Sequence, residues 1–298
     1  MTVTIQNERL TVEIEALGAQ LASIRTPDGT EYLWQGDPDI WPRRAPLLFP
    51  VIGWLKDSTY LLEGVPYTIP QHGFARDMEF AVAAHSPRSA TFRITDTPET
   101  RAVYPFSFAL EVTYTLEEDR LVKAHRVENR SDREMLYELG GHDGFRAPLE
   151  PGAAMDRYAI RWPGSETVRP YGMDGDCLLT PKGGPIPLEG GRLPLKPARL
   201  GLDTLVFDAP QAGVASLVDD WGRPRVTLTF PDFPYLGIWT QDRPFDTGYV
   251  CIEPWSSLPD AAFVGRELGD KAGIRRLAPG QSETLTYTTT ICHRRKEG

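Results

Sequence analysis

The sequence predicts an all-β protein: one large, mostly antiparallel β-sandwich with few short helices, forming a single domain over residues 1–298. Three observations carry this reading. Apolar and polar residues alternate with period two in many short runs. The runs are punctuated by 27 glycines and 27 prolines, the residues that make turns and interrupt ladders. No stretch shows the sustained apolar stripe of a long amphipathic helix. All-β domains run long, so the length does not require a second domain.

Alternation begins in Leu10–Glu15 and Gln20–Arg25, with Gly18 and Asp28-Gly29 as turns, which reads as a β meander. Leu61–Tyr67 reads as a hairpin with Glu63-Gly64 at its tip. Strand-like runs follow at Phe80–Ala84, Ala90–Thr95, Phe106–Leu116 and Leu121–Asn129. The pattern resumes at Thr204–Phe207, Val214–Val218, Arg225–Phe230, Tyr235–Trp239, Tyr249–Ile252 and Glu283–Cys292. The Gly- and Pro-rich interval Pro151–Pro197 lies between, with one strand-like piece at Tyr158–Trp162, and is read as a long functional loop rather than a domain boundary. The one helix candidate is short, at Gly265–Asp270.

Charge and composition exclude several classes of function. With 41 acidic against 32 basic residues the net charge is −9, which disfavours nucleic acid, since phosphate backbones are bound by clustered Lys and Arg. No run approaches the ~18 apolar residues of a membrane span, and the start has neither the basic nor the apolar region of a signal peptide. Cys177, Cys251 and Cys292 are scattered and odd in number, which suits reduced thiols in a cytoplasm better than a disulfide framework. A soluble cytoplasmic protein, a monomer or homodimer without membrane or nucleic-acid partners, is expected.

The chain's most informative stretch is Gly248–Ser257, where a β-prone run leads to Glu253 and then to Pro254. Proline cannot donate to a ladder, so Glu253 is expected at a strand end. Alternation turns Val250 and Ile252 to one side, and Cys251 and Glu253 to the other. A carboxylate so placed is either a buried partner of an arginine or a general base.

Two of the five histidines sit in glycine-punctuated turns beside aromatics: His72 in Gln71–Arg76 and His142 in Gly140–Phe145. Imidazole titrates near neutrality and glycine lets a ligand approach the backbone, which fits acid catalysis; a hydrogen-bonded structural histidine fits either turn as well. His85, His125 and His293 lie in strand-like or tail sequence and read as structural. In Trp41–Gly53 the guanidiniums of Arg43 and Arg44 flank a proline-stiffened apolar segment. They read either as a surface pair or as a fork aimed at substrate oxygens. Asp203, just before a strand, is accounted for by turn chemistry alone.

Taken together, Arg43–Gly53, His72–Asp77, Gly140–His142, Asp203–Phe207 and Cys251–Trp255 resemble the aldose 1-epimerase (galactose mutarotase) superfamily, in particular its LacX-like group. The resemblance covers nearly the whole chain in order. It implies a sandwich of the supersandwich type, a cleft for a hexose, and neither cofactor nor metal. By the same resemblance Glu253 matches the general base, His142 the general acid and His72 an assisting histidine. Arg43 matches the arginine near the ring oxygen, with Arg44 one position away as the competing choice, and Asp203 the carboxylate that accepts from sugar hydroxyls. After His142 the family's proline and Phe-Asn are replaced by Asp143-Gly144-Phe145-Arg146. Asp143 is therefore expected to raise the pKa of His142, and Arg146 to recognise a different substituent.

Interconversion of anomers requires one base and one acid. Trp239 and Trp255 are candidate stacking faces, although large aromatics in sandwiches are more often core. A hexose-6-phosphate 1-epimerase, with Arg76 and Arg146 as the phosphate clamp, and a non-catalytic carbohydrate-binding protein are the alternatives. A glycosidase using Glu253 with Asp203, and a metal site of His72, His142 and Glu253, are weaker readings.

Overall fold

The computed structural model describes residues 1–150, 152–196, 204–210, 212–241 and 247–293. Asp203 lies outside the described residues. Two large antiparallel sheets organise the chain.

The first sheet has nine strands. From edge to edge it runs Arg192–Pro194, Ala159–Arg161, Val214–Val218, Pro224–Thr229, Ser282–Ile291, Arg120–Asn129, Phe108–Glu117, Ser89–Thr95 and Ala81–Ser86. The second runs Leu179–Lys182, Tyr171–Met173, Leu205–Asp208, Tyr235–Trp239, Tyr249–Trp255, Gly140–Gly141 and Leu47–Leu48, with Asp143–Arg146 also paired to Tyr249–Trp255. One core cluster joins them: Val112, Tyr114 and Tyr287 come from the first sheet, and Leu236, Ile238 and Ile252 from the second. The meander, now Thr2–Gln6, Thr11–Glu15 and Gln20–Arg25, forms a separate three-stranded sheet. The expected hairpin pairs Thr59–Leu62 with Val65–Thr68, and both turn residues have positive φ, Glu63 at 54° and Gly64 at 78°. That is the twist a two-residue hairpin turn requires.

Three expectations need correction. Pro254 does not end its strand: Tyr249–Trp255 continues through it, fully buried, with Pro254 opposite Leu236. Glu253 is therefore inside a central strand. The interval 151–197 is not one loop, because its short strands Ala159–Arg161, Tyr171–Met173, Leu179–Lys182 and Arg192–Pro194 extend both sheets. At Gly265–Asp270 only a 3-10 turn forms, over Leu268–Asp270. The α-helix lies instead at Pro98–Val103, capped reciprocally by Thr97 and Thr100 with proline in the first turn. Only Thr100 in it is buried, so there is no apolar stripe for periodicity to find.

A charged pair is enclosed between the sheets. Lys123 Nζ lies 2.8 Å from Asp143 and also donates to the Tyr287 hydroxyl at 2.6 Å, which in turn donates to Asp143. Lys123 is 4% exposed and Asp143 0%. Removing one partner would strand the other charge away from water. Asp143→Ala should therefore destabilise the protein by about 3–5 kcal/mol in urea unfolding, and Lys123→Met with Asp143→Leu should recover most of the loss. A loss below about 1 kcal/mol in the single variant would show that the pair is dispensable.

Candidate active site

The second sheet turns one face to the core and the other to a cleft of about 320 Å³. Register decides which side chains reach it. Asp143 pairs with Ile252 and Gly140 with Trp255, so the same register sets His142 across from Glu253. On the other side Gly237 pairs with Glu253 and Trp239 with Cys251. Side chains alternate, so Cys251, Glu253 and Trp255 share one face with His142 and Trp239. Val250 and Ile252 point the other way, into the core.

His142 Nε2 stands 3.4 Å from Glu253 Oε2, with Glu253 1% exposed and His142 7%. The two side chains form a cross-strand pair on the cleft floor. The His72 ring stands perpendicular to His142 at 5.6 Å. Its Nδ1 accepts from the Gly53 N–H at 3.0 Å, and its own backbone N–H donates to the Gly53 carbonyl at 3.0 Å. With Nδ1 an acceptor, a neutral His72 carries its proton on Nε2. Gly53 cannot be replaced freely: its φ is +70° and a Cβ would lie 2.7 Å from Pro259.

Trp41 stacks on His142 at 5.2 Å and meets Trp239 edge-on. It had no role in the sequence reading. Its signal was the Trp41-Pro42-Arg43 run, an aromatic on the stiffened segment that carries the arginine. Gly144 makes room for it, since a Cβ there would approach the Trp41 ring to 2.9 Å. Trp255 belongs to a second small core cluster with Leu48, Ile52 and Val206, and its edge lines the cleft. It lies between Gly140 and Gly237, where a Cβ would come within 2.7 and 2.8 Å of the indole.

Arg43 and Arg76 line the cleft. Arg43 binds Asp77 at 2.8 Å, and Arg76 lies 3.6 Å from the same carboxylate. Arg44 turns away to Glu15 at 2.9 Å and the Gln35 carbonyl, which decides the one-position ambiguity in favour of Arg43 as the cleft residue. Arg146 is half-buried at the start of the cleft strand's pairing with Tyr249 and does not line the cleft.

Electrostatics corrects one more expectation. Asp143 was expected to raise the pKa of His142. Alternation instead sends its side chain through the sheet to Lys123. Burial first, then the Arg76 and Arg43 charges, lowers His142 to about 3. Burial, with help from the neighbouring His142, Arg76 and Arg43, also holds His72 well below its usual value. Both rings are therefore neutral at pH 7.

Among the described residues one group could ligate a metal: His142, Cys251 and Glu253 offer atoms within 4.8 Å of one another. Burial pushes the Cys251 thiol well above its ordinary pKa, so a metal there would first have to displace a firmly held proton. No helix among the described residues is long and apolar enough to cross a membrane.

A family model described as aldose 1-epimerase matches residues 1–288. The chain is 32% identical to the plasmid-encoded protein LacX of Lactococcus lactis subsp. lactis, covering 98% of this chain and 99% of that one. The chromosomal LacX of the same organism is 31% identical with the same coverage. Among solved structures, a galactose mutarotase related enzyme from Lactobacillus acidophilus is 33% identical, with a TM-score of 0.92 and 98% of each chain covered. A galactose mutarotase-like protein from Lactobacillus casei is 30% identical, with a TM-score of 0.90, covering 98% of this chain and 100% of that one.

His125, lowered to about 3 by burial and by Lys123, joins His72 and His142 as a buried neutral ring. Each takes up a proton on unfolding once the pH falls below about 6.5. Their stability contribution is therefore present above pH 6.5 and lost as the pH drops toward 3. By pH 4 a ring with a native value near 3 costs about 3 kcal/mol. The melting temperature should fall steeply between pH 6.5 and 4.5, and His125→Phe should flatten the slope. A melting temperature constant to pH 4.5 would contradict the neutral assignment.

Proposed function

Because the chain belongs to the aldose 1-epimerase family, we propose that it interconverts the α and β anomers of a hexose by acid–base catalysis with ring opening. The observation that carries this reading is the cross-strand pair of His142 and Glu253, 3.4 Å apart on the cleft floor. In a cyclic aldose the C1 hydroxyl and the ring oxygen are bonded to the same carbon. A base and an acid side by side can therefore address both. Glu253 accepts the hydroxyl proton as the C1–O5 bond breaks, and His142 delivers a proton to the ring oxygen. Rotation about C1–C2 presents the other aldehyde face, and the reverse transfers close the ring and restore both side chains.

His72, with Nδ1 occupied by Gly53, offers Nε2–H to a sugar oxygen. Arg43 and Arg76 are the further donors at the cleft wall, and Trp239 supplies an apolar face for the ring, whereas Trp255, 2% exposed in its core cluster, brings only its edge. Asp203 keeps the role its resemblance implies, as an acceptor from hydroxyls. The function fits a soluble, cytoplasmic enzyme of sugar metabolism.

A second reading, the hexose 6-phosphate as substrate, is favoured by one observation: Arg43 and Arg76 share the single carboxylate of Asp77, which leaves a positive charge at the cleft wall for an anion. Arg146 takes no part in such a clamp. Polarimetry on freshly dissolved α-anomers of hexoses and hexose 6-phosphates separates the two readings.

Two predictions test the mechanism. Glu253→Gln keeps shape but cannot accept the proton, so catalysed mutarotation should fall by at least ~10²-fold with little change in melting temperature. A destabilised variant whose folded fraction retains full activity would make Glu253 structural. His142 offers the second test. Its low basicity makes the imidazolium a scarce but strong acid at pH 7, and kcat/KM should fall as the pH rises from 6 to 8. A flat profile would mean that His142 acts as a neutral hydrogen-bond donor.

A further inference from the structure

Cys251 lies on the cleft face of its strand, two residues before Glu253, and the proposed chemistry leaves its thiol unused. The residue is fully buried. Register sets Trp239 opposite it on one neighbouring strand and Gly144, which has no side chain, on the other. The polar side chains beside the thiol are therefore Glu253 on its own strand and His142 on the next. One ligating atom from each of His142, Cys251 and Glu253 lies within 4.8 Å of the other two. His72, which the sequence grouped with His142 and Glu253, is replaced in this set by Cys251.

An imidazole, a thiolate and a carboxylate are the donor types that hold zinc, and three of them with a fourth position open to a cleft make an accessible site. Atoms so spaced share a point within about 2.8 Å of each, against about 2.3 Å for a zinc–sulfur bond and about 2.0 Å for zinc to nitrogen or oxygen. Small side-chain torsions close that difference. The His142–Glu253 edge already fits: two such ligands of a tetrahedral ion stand about 3.3 Å apart, and His142 Nε2 is 3.4 Å from Glu253 Oε2. As the ion binds, the Cys251 S–H bond breaks, sulfur keeps the electron pair and the proton leaves to solvent. Thiolate and carboxylate then balance a divalent charge, so the buried centre is neutral and carries no uncompensated ion. Magnesium and calcium, which take six or more oxygen ligands, do not suit the set.

We propose that His142, Cys251 and Glu253 form a binding site for a thiophilic divalent cation of the zinc type, and that the bound ion switches the cleft off. Only the second clause rests on the anomer-interconverting reading: the carboxylate and imidazole that move protons become ligands, and neither is left to serve as base or acid. Binding of the ion does not depend on what the cleft catalyses. Cys251 takes no part in the proton transfers but supplies the soft donor that selects the metal, so one substitution separates the two roles.

The test uses the untagged full chain after treatment with a chelator, with Co²⁺ as the spectroscopic probe. Stoichiometric Co²⁺ should produce a thiolate-to-cobalt charge-transfer band and the visible bands of four-coordinate cobalt, and Zn²⁺ should bleach both. Cys251→Ala should abolish the charge-transfer band and weaken zinc binding by more than the ~10–100-fold that changes outside the ligand shell cost. Cys177→Ala, at the cleft wall, should leave band and affinity unchanged. Cys251→Ser, close in size to the native side chain, replaces the alanine variant if that does not fold. Absence of the band in the native chain, or a band that survives loss of the Cys251 thiol, overturns the proposal whether or not anomers are turned over. In anomer exchange, stoichiometric Zn²⁺ should stop the native protein, while Mg²⁺ has no effect and Cys251→Ala keeps its metal-free rate in either salt. Equal zinc inhibition of the native protein and Cys251→Ala, or zinc bound at Cys251 with the exchange rate unchanged, overturns the switch. A chain inactive on every hexose removes the anomer reading, and the spectra alone then decide the site.

Discussion

The pairing of Asp143 with Ile252 is the constraint on which the site depends. Because strand side chains alternate, that single register sends His142 and Glu253 to the cleft face and Asp143 to the core face above Lys123. A slip of one residue would exchange the faces. His142 would enter the core, Asp143 would enter the cleft, and Lys123 would be buried without its carboxylate. The enclosed ion pair thus penalises the wrong register, which is the best-attested use of a buried charge. The strand that carries Glu253 is itself fully buried, so that carboxylate is fixed by the sheet on both sides rather than by a loop.

The rest of the cleft is built around what the sheet face leaves open. Gly140 and Gly237 flank Trp255, and Gly144 admits Trp41, so glycines on the neighbouring strands give the aromatic rings room to lie on the sheet. The Ile52–Lys56 segment works from the opposite wall: the Gly53 N–H that fixes the His72 tautomer belongs to the residue before Trp54. Lys271, Glu138 and Asp260 hold that segment from below. Burial gives both cleft histidines low basicity, so the same burial that shapes the cleft face also sets how these rings respond to acid.

Much of this was legible in the sequence, and the failures have physical causes. Period-two alternation identified the sandwich and put Glu253 on the side away from Val250 and Ile252. Pro254 misled because proline interrupts hydrogen bonding on its own N–H only, and a strand held by neighbours on both sides continues through it. Asp143 was misread because adjacency in sequence means opposite faces in a strand, and that His142 and Asp143 lie in a strand-like pairing follows from tertiary contacts. The choice between Arg43 and Arg44 rested on Glu15, which no local pattern connects to them. Trp41 escaped because an aromatic in a sandwich sequence looks like core, and only the fold shows which rings reach the cleft. His142 facing Glu253 across a pair of strands more than a hundred residues apart is likewise a property of register and not of spacing.

The most direct test of the central claim, that this face of the sheet moves protons at the anomeric hydroxyl and the ring oxygen of a sugar, is exchange NMR on a hexose at anomeric equilibrium. Cross-peaks between the α and β H1 resonances report the interconversion rate without a coupled assay. The account predicts a rate proportional to protein concentration and abolished in Glu253→Gln. Sugar binding seen in the same spectra, with exchange remaining at its uncatalysed rate, would contradict it.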